Sequence, residues 1–100
     1  MVDKKEKWIN EDSDNLFRAV LALRNTEEAR RFFRDLLTEN EILEFARRWK
    51  AARLLASGVP YREIGRQTWL SPRTIARVHK WLEHGKGGYR LILERTGKGR

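Results

Sequence analysis

The residues with chemistry to offer are concentrated between Arg62 and Lys86. This stretch carries Arg62, Arg66, Arg73, Arg77, Lys80 and Lys86 against two acids, Glu63 and Glu83. At the angular spacing of a helix, Arg73, Arg77, Lys80 and His84 fall on one side, and Ile75, Val78, His79 and Leu82 on the other. Cations without an acid among them make a poor helix surface and a good reader of a polyanion. Arginine can bond bidentately to guanine O6 and N7, and the hydroxyls of Ser71 and Thr74 suit bases or phosphates. Arg62 and Arg66, just upstream, suit a phosphate backbone. A solvated face accounts equally well for either one alone. On charge alone the polyanion is nucleic acid, an acidic protein or anionic lipid.

A second candidate is the cluster Gly85, Lys86, Gly87 and Gly88. Unhindered backbone N–H groups beside a lysine, ahead of a helix, can hold a phosphate. A flexible connector is the alternative. Catalysis is poorly served. There are no cysteines, which excludes a thiol nucleophile, a disulfide scaffold and every Cys-based metal site. His79 and His84 are five residues apart and do not converge on a helix, and His79 is expected in the core. His79 and Glu83, at i and i+4, could share a metal, but no third ligand accompanies them. A P-loop and a dinucleotide fingerprint are both missing. An enzyme is not expected.

The rest of the chain sets the elements that position these residues. One hundred residues make one domain at the small end of the range, whose modest core favours oligomerisation. The net charge of +8 is uneven. Residues 1–46 hold 8 basic and 11 acidic side chains, a net of −3, and residues 47–100 hold 14 and 3, a net of +11. No Gly or Pro precedes Gly58, which favours long helices there. Ser13 is expected to cap a first helix over 14–24 with the stripe Leu16, Phe17, Val20 and Leu21. Asn25 or Thr26 caps a second, with the stripe Ala29, Phe32, Phe33, Leu36 and Leu37. Thr38 and Glu41 read as a capping box for a third helix running to about residue 57, stopped by Gly58. Its apolar set, Ile42, Leu43, Phe45, Ala46, Trp49, Ala52, Leu55 and Ala56, is wide enough for a central helix. A short helix over 61–68 follows. Ser71 then caps a helix with Pro72 at its first position, ending before Gly85. A last helix covers 89–95. The fold class is therefore all-α, with about six helices and no sheet.

Two short helices joined by about three residues, the second basic, have the plan of a DNA-binding helix-turn-helix over about 61–82. Ile64 packs inward from the first helix, Gly65 is small so that the second can cross close by, Leu70 plugs the turn, and Ile75 and Val78 face back. Trp69 is the misfit. The turn there favours a residue tolerant of φ > 0, often glycine. Either Trp69 bears that strain or the turn has another shape. A plain helical hairpin is the bland alternative.

The run over 37–94 resembles the tryptophan repressor superfamily, in its YerC/YecD-type branch. The resemblance is carried by "LLTENEILEFARRW", "PYREI", "SPRTIARV" and "GKGGYRLILER". It covers roughly residues 10–95. It implies an intertwined homodimer that binds a near-palindromic operator through the helix-turn-helix. A partner chain would also cover the apolar surface of the first three helices. The superfamily's best-known member needs L-tryptophan as corepressor, and its ligand positions fall on Thr38, Arg48, Arg77 and Trp81. Three match in residue type. Trp81 replaces a small hydroxyl residue, and Val78 stands where a glycine gives the indole room. On this comparison Val78 and Trp81 fill the slot, Trp81 takes the space of the ligand's indole, and no cofactor is expected.

The expected organisation is a flexible arm over 1–11, a helical domain over 12–95 and a frayed tail over 96–100. The expected function is sequence-specific regulation of transcription, as a repressor, on double-stranded DNA. The contacts would be Arg62, Arg66, Ser71, Arg73, Thr74, Arg77, Lys80, His84 and Lys86. The alternative is a non-regulatory DNA-binding or protein-interaction module using the same basic half. No run of about 18 apolar residues occurs, so no membrane span is expected. The charged N-terminus lacks the apolar segment of a secretory signal, so a cytoplasmic, nucleoid-associated protein is expected.

Overall fold

In the computed structural model, which describes residues 6–97, six helices follow one another and no strand occurs among the described residues. They are α1 (Glu11–Leu21), α2 (Thr26–Leu36), α3 (Glu39–Ala56), α4 (Tyr61–Thr68), α5 (Pro72–His84) and α6 (Gly88–Thr96). The outer parts of the arm expected over 1–11 and of the tail expected over 96–100 lie outside the described residues. The chain divides into two compact units between Glu39 and Asn40.

In the first unit, α1 starts three residues earlier than its sequence suggests. Asn10, not Ser13, is the N-cap. Asn10 Oδ1 accepts from the Ser13 N–H at 2.9 Å, and Ser13 Oγ accepts from the Asn10 N–H at 3.0 Å. Ser13 is thus the third helical residue of a reciprocal capping box, and Glu11, Asp12 and Asp14 place negative charge at the positive end of the helix dipole. The helix also ends earlier, at Leu21, because the next start signal competes for the chain. Asn25 Oδ1 caps the Glu28 N–H at 2.9 Å, while the Glu28 carboxylate takes the Arg24 N–H at 2.9 Å. Both helices are amphipathic as expected, yet neither contains a buried residue. Leu16, Phe17, Leu21 and Leu36 are exposed, Leu21 to 83%.

The second unit closes a core of its own. Ala51 and Ala52 of α3, Ile64 of α4, Leu70 in the turn, and Ile75 and Val78 of α5 are buried together, with Trp49, Leu54, Leu55, Val59 and Tyr89 packed around them. On α3 the wide apolar surface is not uniformly covered: Leu43 and Phe45 remain about half exposed. The fully buried residues of α3 are instead the two alanines, of which only Ala52 stood out in the sequence. α3 stops as expected at Gly58, whose φ is +84°. The Val59 N–H reaches Leu54 O and the Gly58 N–H reaches Leu55 O, each at 3.0 Å, the paired bonds of a Schellman stop.

Gly65 proves less constrained than expected. A Cβ there would sit 3.7 Å from Leu70 O and 3.8 Å from Ile75 Cδ1, ordinary contacts. The crossing of α4 and α5 requires a small residue, not the absence of a side chain.

Candidate nucleic-acid interface

The candidate interface is built on α4, its turn and α5. Thr68 is buried, and its Oγ1 donates to Ile64 O at 2.8 Å and accepts from the Leu70 N–H at 3.2 Å. This hydroxyl fastens the turn from within. A buried threonine at a helix end carries no strong signal in sequence, and it was missed. Trp69 does adopt the left-handed conformation, with φ +64° and ψ +13°, the one non-glycine residue with positive φ among those described. That conformation costs roughly 1–2 kcal/mol for an L-residue with a Cβ. Leu70 then turns inward, and Ser71 begins α5.

Ser71 Oγ caps the Thr74 N–H at 3.1 Å and also donates to Thr74 Oγ1 at 3.1 Å. Pro72 occupies the first turn, where it forfeits no hydrogen bond. From this start α5 presents the two expected faces. Ile75, Val78 and Leu82 are buried, while Arg73, Arg77, Lys80 and His84 are exposed. Thr74 is half-buried at the boundary between them. Among the described residues no carboxylate pairs with Arg62, Arg73, Arg77 or Lys80. The Lys80 ammonium lies 5.5 Å from the centre of the Trp81 ring.

Arg66 behaves differently. Its guanidinium forks onto the Glu63 carboxylate, with Nε 2.9 Å from Oε1 and Nη2 closing on Oε2. Hydrogen bonds from Arg66 first, and then from Gln67, hold the Glu63 carboxyl down at about 2. The same pairing raises the already high pKa of Arg66. Its charge is therefore balanced locally, unlike that of Arg62.

His79 is not in the core. It is half-exposed, and its Nδ1 lies 2.7 Å from the Tyr61 hydroxyl of α4. Its Nε2 lies 4.0 Å from Glu83, which also accepts from Arg90 of α6 at 2.8 Å. The position, one step beyond Val78, puts the ring at the edge of the buried stripe, where a polar group can still find partners. The result is a polar chain linking α4, α5 and α6, and Tyr61 is its unforeseen member. No group of three metal-ligating side chains occurs among the described residues.

The glycine cluster has structural reasons of its own. A Cβ on Gly85 would lie 2.4 Å from Trp81 O, a backbone atom that cannot move aside. Gly87 has φ +84° and stands at the N-cap of α6. Gly88 faces open space, and Lys86 is exposed.

Behind α5 lies a cavity of about 230 Å³ lined by Glu44, Arg48, Thr74, Arg77, Val78, Trp81 and Tyr89. Arg48 and Arg77 are thus brought together there, and Thr38 is not among the lining residues. Trp81 lines the cavity without filling it, and is 50% exposed. The reason is angular: Trp81 follows Arg77 by one turn and so lies nearer the outer face than the core stripe. Tyr89 supplies the inner aromatic surface instead, stacked on Trp49 with ring centres 6.2 Å apart. Arg48 is engaged with Glu44 at 3.4 Å, and its guanidinium lies 5.6 Å from the Phe45 ring centre.

None of the described helices is long and apolar enough to cross a membrane. Comparison with known proteins identifies relatives over nearly the whole chain. The sequence profile of the Trp repressor protein family matches residues 11–97. The uncharacterized protein YerC of Bacillus subtilis is 40% identical over 91 residues, which cover 91% of this chain and 88% of YerC. A TrpR-like protein from Eubacterium eligens superposes with a TM-score of 0.88 at 37% identity, over 92% of this chain and 95% of that one. A Staphylococcus aureus structure described as a candidate Trp repressor gives 0.86 at 37% identity, over 94% of each chain. The chain belongs to the Trp repressor family, in the branch that contains YerC.

Proposed function

We propose that this protein is a sequence-specific regulator of transcription, a repressor, that binds duplex DNA as a homodimer through α5. The observation that carries the reading is the outer face of α5, where Arg73, Arg77 and Lys80 stand exposed with no carboxylate against them among the described residues. The N-terminal end of a recognition helix enters the major groove first. Arg73 and Arg77 then meet base edges, with Ser71 and Thr74 at the groove entrance. Lys80 and His84 follow along the helix, and Arg62 and Lys86 meet phosphates. Arg66, already paired, contributes least.

The dimer is supported by α1 and α2, two amphipathic helices without a buried residue. A second copy covers their apolar stripes and sets two α5 helices about one turn of DNA apart, so the operator is near-palindromic. Such a protein works in the cytoplasm, on the nucleoid. Binding is independent of L-tryptophan, because Val78 and Trp81 bring large side chains to the lining of the cavity and Arg48 is already paired with Glu44.

Selection of bound duplexes from a random pool tests the reading. The expected result is a near-palindrome with half-sites one turn apart. Alanine at Arg73, Thr74 or Arg77 then erases sequence preference and leaves the helical content intact. If the dimer neutralises about 6–10 phosphates, affinity falls with salt at a log–log slope of roughly −5 to −9. Equal affinity for every duplex overturns specific regulation. Calorimetry with L-tryptophan should give no heat of binding and no change in DNA affinity.

A further inference from the structure

Trp69 combines two unfavourable features that nothing in the described chain offsets. Its backbone is left-handed, and its side chain is 87% exposed. The indole has no hydrogen-bond, aromatic or cation partner among the described residues. Its backbone N–H donates to Gly65 O at 2.9 Å, a bond any residue but proline makes. Its neighbours fix the turn without it: Thr68 is buried and hydrogen-bonded on one side, and Leu70 is buried on the other. Glycine or asparagine would adopt this conformation more easily and expose no apolar surface. A strained, exposed aromatic residue at a turn points to a role outside the chain.

The position says what the ring meets. Trp69 lies two residues before Ser71, the N-cap of α5, so their Cα atoms are at most about 7 Å apart. An indole spans a similar distance. The ring therefore flanks the entering end of the reading helix, beside the arginines and not among them. Where α5 occupies a groove, the flanking surface is the sugar–phosphate wall. Bases in an intact duplex are stacked and offer no open face there, whereas deoxyribose offers apolar C–H surface. The exposed and uncompensated cations nearest in sequence, Arg62 and Arg73, favour the same polyanion.

We propose that Trp69 is a DNA-binding residue that lays its indole against the deoxyribose wall flanking the half-site, adding affinity that depends on neither base sequence nor salt. This rests on the DNA-binding reading of α5. It assigns to one turn residue a contribution distinct from those of the arginines. Arg73 and Arg77 change specificity and the salt slope, while Trp69 changes neither.

The experiment compares wild type, Trp69→Asn and Trp69→Phe on two duplexes, the one enriched by selection and a scrambled one of equal length. Asparagine accepts the left-handed backbone, so Trp69→Asn should melt at the same temperature as wild type or a few degrees higher. It should bind both duplexes about fivefold to tenfold more weakly, at the lower end of what an aromatic contact to nucleic acid contributes. The ratio between duplexes and the salt slope should not change. Trp69→Phe should keep most of the affinity. Either duplex should shield wild-type tryptophan emission from acrylamide, and Trp69→Phe should lose the share of that shielding that belongs to Trp69, leaving the share of Trp81 and the other tryptophans. Unchanged affinity in Trp69→Asn overturns the proposal and leaves the DNA-binding reading standing. So does a loss confined to the selected duplex, which means base readout, or a fall in melting temperature, which means a structural role. Shielding that rises with protein concentration in the absence of DNA, in wild type but not in Trp69→Phe, assigns the ring to a second copy of the chain, and also overturns it. Wild type that binds neither duplex overturns the DNA-binding reading itself, and this inference with it.

Discussion

The two units of this chain treat their apolar residues in opposite ways. The unit built on α4, α5 and α6, with most of α3, hides Ile64, Ile75 and Val78 almost completely behind two alanines. The unit built on α1 and α2 carries equally clear amphipathic stripes and buries nothing. Helix periodicity is the same in both, so periodicity does not say whether a stripe is satisfied within the chain. The difference is in what faces it. In the second unit two adjacent small residues, Ala51 and Ala52, are fully buried against α4 and α5, whereas the stripes of the first consist mostly of large side chains, with Ala29 the one small member. The second unit is a reading head that holds its own shape. On the proposed reading, the first is the assembly surface of a homodimer.

The strongest test of that contrast is to charge the assembly surface. Phe33 lies edge-on to Phe32, with ring centres 5.5 Å apart, in the middle of the α2 stripe. Phe33→Glu should abolish dimerisation, convert a concentration-dependent melting temperature into a concentration-independent one, and remove most of the stability. Analytical ultracentrifugation and melting at several protein concentrations measure both. A dimeric, stable Phe33→Glu breaks the comparison, because it means that the α2 stripe is not what a second copy covers. The matching change in the reading head is Ile75→Ala. It should cost about 2–5 kcal/mol through lost burial and a residual cavity, and leave the association state unchanged at temperatures where the protein is folded.

The contrast also explains what was legible in the sequence. The inward and outward faces of α5 could be read from spacing because both are set within one unit, by one helix against its own neighbours. His79 was misplaced by one angular step. A histidine at the edge of a stripe is held by whichever polar group lies opposite, and Tyr61, eighteen positions away, is not visible from local pattern. The start of α1 shifted because Asn10 and Ser13 can each cap and only the reciprocal bond decides between them, while α2 starts after Asn25 as expected. Trp69 was recognisable as a misfit, but sequence could not choose between strain and a different turn. Residue identity gives the volume of Trp81 and not its direction, and the direction decides that it lines the cavity behind α5.

Two glycines in the reading head sharpen the same distinction between pattern and space. Gly85→Ala places a Cβ against the Trp81 carbonyl, so the end of α5 must shift. A loss of about 1–3 kcal/mol is expected, as for other overpacked sites. Gly65→Ala meets only ordinary contacts inside a helix. It should be neutral or stabilise by up to about 1 kcal/mol, the helix-propensity difference between the two residues. Thermal or urea unfolding of the pair decides. Destabilisation by Gly65→Ala as large as that by Gly85→Ala would mean that α4 and α5 tolerate no added atom at their crossing.

The smallest expected effect belongs to the exposed Glu63–Arg66 pair. The Glu63 carboxyl is held at about 2, below its ordinary 4.5, by the hydrogen bonds of Arg66 and Gln67. A carboxyl lowered in the folded chain adds stability above its unfolded value and loses it as pH falls through the folded one. The contribution is therefore complete above about pH 4.5 and fades toward pH 2. Solvent and salt screen an exposed pair, so the slope is shallow and should flatten further at high ionic strength. Glu63→Gln should remove that part of the acid dependence while barely changing stability near neutral pH. It also frees Arg66 from its partner. DNA affinity should then rise slightly and the salt slope steepen by up to about one phosphate's worth, turning the least available arginine of the reading head into one that resembles Arg62. A Glu63→Gln protein with unchanged salt slope would place Arg66 off the phosphate path altogether.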